Sequence, residues 1–116
     1  MKIAVVGKAN IAEVCVDVYR ISSPFSAKDL LDYDLVIDFS SKEDVIDNII
    51  MYCHLGLCAV IANSLWLEQK DMILGLCNDD DIHIYYGDFN YLSSDLISIV
   101  KKCYDKKEKL PFERIC

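Results

Sequence analysis

The sequence predicts an α/β domain, a three-layer sandwich built on a mainly parallel sheet of about five strands. Three observations carry this expectation. Short apolar runs of strand length alternate with segments of helical period, the pattern of successive βα units. The run Leu35-Val36-Ile37-Asp38-Phe39 has four apolar residues in five and leads directly into Ser40-Ser41, as a strand buried on both faces does when it hands over to a helix N-terminus. A length of 116 residues with 53% hydrophobic content suits one core, so residues 1–116 are read as a single domain.

Lys2 to Val6 reads as the first strand, and Gly7 begins the loop after it. Val14, Val16 and Val18 alternate with polar residues as in a half-buried strand, yet Ile11, Val14, Cys15 and Val18 also fit one helical face. Both assignments stay open for residues 14–20. Ser26 is placed to cap a short helix through Leu31. After the strand Asp34 to Phe39, the segment Ser41-Lys42-Glu43-Asp44 has capping-box spacing. Val45, Ile46, Ile49, Ile50 and Cys53 then form an apolar stripe of helical period, and Gly56 ends the helix in a left-handed cap with His54 in the last turn.

Cys58 to Ala62 is the next strand and runs into Asn63-Ser64. Leu67 to Cys77 reads as a helix with Met72, Ile73, Leu76 and Cys77 inward. Asn78-Asp79-Asp80-Asp81 is a solvated turn without calcium-loop spacing. Ile82 to Tyr86 is a strand with His83 at its centre, where packing is the expected role. Ser93 or Ser94 caps a last helix with Leu96, Ile97, Ile99, Val100, Cys103 and Tyr104 on its buried side, and Pro111 and Phe112 open an apolar tail through Ile115.

A formal net charge of −7 argues against a nucleic-acid face, which needs clustered Lys and Arg to displace counterions. No run approaches the roughly 18 apolar residues of a membrane span. Met1 to Gly7 is too short for a signal-peptide core and reads as a strand of a cytosolic protein. The six cysteines form no CxxC pair, and most fall inside apolar patterns, so buried reduced thiols are expected rather than metal ligands or disulfides. Cys116 is the expected reactive thiol. No metal site and no catalytic constellation is read from the residues.

The order of these motifs resembles the nucleotide-binding domain of dihydrodipicolinate reductase (4-hydroxy-tetrahydrodipicolinate reductase), an oxidoreductase family of lysine and diaminopimelate biosynthesis. Asp38-Phe39-Ser40 is similar to the Asp-Phe-Ser or Asp-Phe-Thr strand end of that family. Gly56, Val60-Ile61, the loop Ala62-Asn63-Ser64-Leu65 and Glu68-Gln69-Lys70 follow in the family's order. Gly87-Asp88-Phe89-Asn90 sits where the family has Pro-Asn-Phe-Ser, and Leu110 to Ile115 is similar to the segment that returns to its first domain. The resemblance implies a Rossmann-like fold, NAD(P)H as cofactor, and a crevice formed by Gly7, Lys8, Ala9, Asn10, Phe39, Ser40, Ser41, Asn63 and Ser64.

Departures fall where the chemistry should be. Of the glycines that let a backbone approach a pyrophosphate, only Gly7 survives in Gly7-Lys8-Ala9-Asn10-Ile11-Ala12-Glu13. Glu13 brings a negative charge toward the anion, where a like charge ~4 Å away costs about 4 kcal/mol at an effective dielectric near 20. Ser22-Ser23-Pro24 occupies the place of the ribose-binding acid. The family's catalytic and tetramer-forming domain, with its His-His motif and catalytic Lys, has no counterpart. Dinucleotide affinity is therefore expected to be weak or lost, and any hydride transfer needs a substrate domain from elsewhere.

Beside a reductase completed by a partner chain, two functions remain. One is a divergent stand-alone domain that binds a nucleotide or small anion over Ser41, where the helix N-terminus offers backbone N–H groups. The other is a non-catalytic interaction or scaffold protein, with a protein partner or a second copy held by aromatic anchors. Tyr52, Trp66, Tyr85, Tyr86, Phe89, Tyr91 and Phe112 are the candidates. Core packing is expected for most, with Trp66 and Tyr91, which read as loop residues, as the exceptions.

Overall fold

The computed structural model describes residues 1–7, 10–11, 17–21, 25–76 and 83–115, with residues 10 and 11 described by backbone only. Lys8, Ala9, residues 12–16, Ser22-Ser23-Pro24, Cys77, Asn78 to Asp81, Ile82 and Cys116 lie outside these residues. So do the readings made at those positions.

The architecture is a Rossmann-like α/β sandwich. In chain order the elements are β1 (Ile3–Gly7), β2 (Asn10–Ile11), β3 (Val18–Ile21), a 3-10 turn at Ala27–Leu30, β4 (Leu35–Phe39), α1 (Lys42–Leu55) and β5 (Cys58–Ile61). A 3-10 turn at Leu67–Gln69 leads into α2 (Lys70–Leu76), followed by β6 (Ile84–Tyr86), β7 (Tyr91–Leu92), α3 (Ser94–Asp105) and β8 (Glu113–Arg114). The main sheet runs β3-β1-β4-β5-β6-β8, six strands where about five were expected. Its first five are parallel, and β8 closes the β6 edge antiparallel through Tyr85 with Arg114 and Tyr86 with Glu113. β2 and β7 pair separately.

Strand alternation builds two cores. Ala4, Val6, Val36, Ala59, Ile61 and Ile84 face Val45, Ile49, Tyr52 and Cys53 of α1 and Ile73 of α2. Ile3, Val5, Leu35, Ile37, Val60 and Tyr85 face Ile97 and Val100 of α3. Strands apolar on both faces must be covered on both, which is why the helices divide between the two sides.

Where the described residues meet an open reading, they settle it. Val18 to Ile21 is strand, hydrogen-bonded in parallel to β1. Ser93, not Ser94, caps α3, its hydroxyl accepting the Leu96 N–H at 3.1 Å. Gly56 ends α1 at φ 65°, with the Leu57 N–H returning to the Tyr52 carbonyl at 3.0 Å, a Schellman-type ending.

Several readings need correction. Ser41 is the N-cap of α1, but its side chain accepts no backbone N–H; its hydroxyl instead donates to the Asp44 carboxylate at 3.4 Å. Met72 and Leu76 on α2 and Ile99 on α3 are exposed, not inward. His83 precedes β6 rather than sitting within it and is exposed; its ring nitrogen lies 3.3 Å from the Arg114 guanidinium. Trp66 is not a surface anchor. It is 1% exposed, donates its indole N–H to the Asn63 carbonyl at 2.8 Å and meets Tyr86 edge-on. Tyr91 lies in the short strand β7 rather than in a loop, and its side chain is half exposed. Cys53 is buried and Cys58 and Cys103 half-buried, all three as free thiols. Burial pushes the Cys58 thiol up to about 11, with Arg114 opposing, so it is inert at neutral pH. Among the described residues no helix is long and apolar enough to cross a membrane.

Candidate functional site at the carboxyl edge of the sheet

Ligands of open parallel sheets sit beyond the strand carboxyl ends where the strand order reverses. Here the chain steps from β1 outward to β3 and then returns past β1 to β4. The reversal lies between β1 and β4, and the residues at their ends are Gly7, Phe39 and Ser40.

Gly7 pairs with Phe39 at the end of the ladder and has φ 89°. A Cβ there would stand 2.7 Å from the Phe39 carbonyl carbon and 2.9 Å from the Ser40 nitrogen. Glycine is needed because the two strand ends press backbone to backbone. The missing side chain makes room for the β4 exit, not for a ligand.

The neighbouring loops are stitched to this point. The Ala62 N–H donates to the Asp38 carbonyl at 2.8 Å, and the Phe89 N–H to the Ala62 carbonyl at 3.2 Å. The Asn63 side-chain amide donates to the Ser40 carbonyl at 3.4 Å, while its oxygen accepts the Leu65 N–H at 3.2 Å. The Ser64 hydroxyl reaches both oxygens of Asp88, at 3.1 and 3.2 Å. Phe39 meets Phe89 edge-on at 5.4 Å, and Phe89 stacks on Phe112 at 5.4 Å. The fold thus brings Gly7, Phe39, Ser40, Ser41, Asn63 and Ser64 to one edge. Asn10 is tied by its backbone to Tyr91, and Lys8 and Ala9 lie outside the described residues. One strand further along, an open groove of about 450 Å³ is lined by Tyr86, Gly87, Leu110, Pro111 and Phe112, with Lys109 and Glu113 also in its wall.

A group beneath this edge was not anticipated. Asp38 is fully buried. Its carboxylate accepts the Ser40 N–H at 2.6 Å, the Asn48 amide at 3.3 Å and the Tyr52 hydroxyl through a short hydrogen bond. Asn48 also donates to the Ser40 hydroxyl at 2.9 Å. Burial pushes the Asp38 carboxyl above the ordinary aspartate value, and the bonds from Tyr52, Ser40 and Asn48 oppose that rise. Burial and then the Asp38 charge push the Tyr52 hydroxyl up, so it remains a donor. A signal existed in the sequence: Asp38 shares strand parity with Val36, and Asn48 and Tyr52, four apart, lie on the same helix face as Val45 and Ile49.

The helix N-terminus carries its own anion. Glu43 lies in the first turn of α1, and its own backbone N–H, then the Ser41 hydroxyl, hold its carboxyl below the usual range. A negative group here satisfies the helix dipole that a bound phosphate would otherwise use. Among the described residues no group of three or more His, Cys, Asp or Glu is placed to hold a metal.

No family model, curated protein or solved structure matches the chain significantly. The site's geometry and the order of motifs are therefore the whole basis for a functional reading.

Proposed function

We propose that this chain is a divergent Rossmann-like domain, similar to the NAD(P)-binding part of dihydrodipicolinate reductase, whose dinucleotide binding is weakened or lost. The crevice over β1, β4 and β5 takes a small nucleotide-class or anionic ligand, and the domain is not catalytic alone. The observation that carries this reading is the meeting of Gly7, Ser40, Asn63 and Ser64 at the reversal of strand order.

A dinucleotide pyrophosphate fits these residues poorly. The space freed at Gly7 is filled by the Phe39-Ser40 backbone, and the α1 N-terminus is met by Glu43. No reaction step is assigned to the chain. Ser40, Ser41, Asn63 and Ser64 would bind and orient a ligand through hydroxyl and amide groups, with specificity set by geometry rather than by charge.

Titration with AMP, NADH and NADPH, followed by calorimetry and amide chemical shifts, tests the proposal. The expected result is saturable shifts at Ser40, Ser41, Asn63 and Ser64 with a dissociation constant of about 0.1–1 mM, lost in Ser41→Asp. No shift at these amides with millimolar NADH, NADPH or AMP would overturn it.

One observation favours the alternative of an interaction protein. Met72 and Leu76, one turn apart on α2, are 47% and 52% exposed, and Leu65 is 60% exposed. A concentration-dependent mass in sedimentation, abolished by Met72→Lys with Leu76→Lys, would support it.

A further inference from the structure

Asp38 is the buried polar side chain among the described residues. It lies at an inward position of β4, paired in the ladder with Val6 of β1 and Ile61 of β5. Its hydrogen-bond donors come from two directions. The Ser40 N–H belongs to the loop at the candidate site, whereas Tyr52 and Asn48 belong to α1, one turn apart. Asn48 closes the circuit by also holding the Ser40 hydroxyl. One carboxylate therefore joins the strand end, the loop and the helix above them.

We propose that Asp38 and Tyr52 form a proton-linked latch beneath α1 that sets how firmly the Ser40–Ser41 loop is held. The inference stands on this cluster and needs no ligand at the crevice.

The latch follows from counting donors and acceptors. As a carboxylate, Asp38 accepts three donors, and no buried side-chain polar atom among the described residues lacks a partner. A proton taken from solvent onto the oxygen facing Tyr52 turns that oxygen into a donor. The Tyr52 hydroxyl must then rotate to accept, which deprives its own proton of the acceptor it had, and the Asn48 amide faces a donor. The Ser40 N–H bond to the other oxygen changes from charge-assisted to neutral and loses about half its strength. The ionised cluster is latched and the protonated one is slack. Among the described residues Tyr52 is the titratable group facing Asp38: β1 and β5 present Val6 and Ile61, the loop presents Ser40, α1 adds Asn48, and no charged side chain of these residues acts on the carboxyl.

The test follows the Asp38 carboxyl carbon and the Ser40 amide by NMR from about pH 3 to 8 in the intact chain. The two signals are expected to titrate with one midpoint above the ordinary aspartate value, with protection of the Ser40 amide, which Asp38 holds, falling as the proton binds. Tyr52→Phe removes a bond to the charged form and should move the midpoint further up, while the far-ultraviolet spectrum stays unchanged. A part that merely held the fold would lose protection equally at every pH. A Ser40 amide indifferent to the Asp38 titration, or a midpoint that stays or falls in Tyr52→Phe, would overturn the proposal. Asp38→Asn should abolish the Ser40 transition; if that variant does not fold, the wild-type coincidence and the Tyr52→Phe shift decide the matter.

Discussion

A carboxyl group that leaves water without a cationic partner makes stability depend on pH with an unusual sign. The folded-state value of Asp38 lies above its unfolded value because burial outweighs the hydrogen bonds. The folded state therefore holds this proton more tightly, and its contribution to stability is complete below the unfolded value and lost as pH rises through the folded one. Paired carboxylates behave the opposite way. Chemical denaturation of wild type and Asp38→Asn across pH should show the wild type losing stability relative to the variant on going from acid to neutral solution. A difference independent of pH would place the folded value at the unfolded one. Acid thus steadies Asp38 globally while slackening the loop locally. Reading the sequence found the loop residues Ser40, Asn63 and Ser64 but not this group, because a lone Asp in an apolar run is read as an edge of the strand. Asn48 was passed over for a related reason, since a polar residue interrupting an apolar stripe is assigned to solvent unless its partner is already known. Tyr52 was read only as an aromatic ring expected to pack in the core.

At the scale of elements, the two serine caps separate what spacing shows from what geometry does. Ser93 receives the Leu96 N–H, so Ser93→Ala should cost about 1 kcal/mol in thermal or chemical unfolding. Ser41 bonds the Asp44 side chain instead of a backbone N–H, so Ser41→Ala should cost no more than a few tenths of a kcal/mol. Equal costs would mean that the caps act alike. Both serines look the same in the sequence, because a cap position is set by local pattern whereas its hydrogen bond depends on competition from the side chains nearby. The helices themselves were legible, since each carries apolar residues at helical period. Their inner faces were legible only in part. Ile97 and Ile99 stand about 200° apart around α3, so one flat sheet cannot bury both, and it takes Ile97. Met72 and Ile73 face the same choice on α2, about 100° apart, and Ile73 is the one covered.

For the whole molecule, the fold class was legible because four strands, β1, β4, β5 and β6, are largely apolar and buried, but their order was not. Nothing in Ile3–Gly7 or Leu35–Phe39 states that these two strands are neighbours. The close backbone contact at Gly7, which makes them so, is visible only in three dimensions. The sixth strand was missed because Glu113-Arg114 is exposed and polar; what fixes it is the flanking apolar pair. Leu110 packs into the core beneath α3, and Ile115 into the core beneath α1 and α2, so the tail passes around the β6 edge and joins both layers. Ile115→Ala should therefore cost about 2–5 kcal/mol in denaturant unfolding, as at an interior site, although its neighbours Glu113 and Arg114 are exposed. A loss under 1 kcal/mol would detach the tail from the core.

The protein also contains its own optical gauge. Trp66 is the single tryptophan, shielded from water, perpendicular to Tyr86 and bonded through its indole N–H to Asn63. Its emission arises at the short-wavelength end, shifts to the red when the core opens, and senses any displacement of the Asn63 carbonyl. A single cuvette can therefore follow both unfolding and occupation of the crevice without a label being attached.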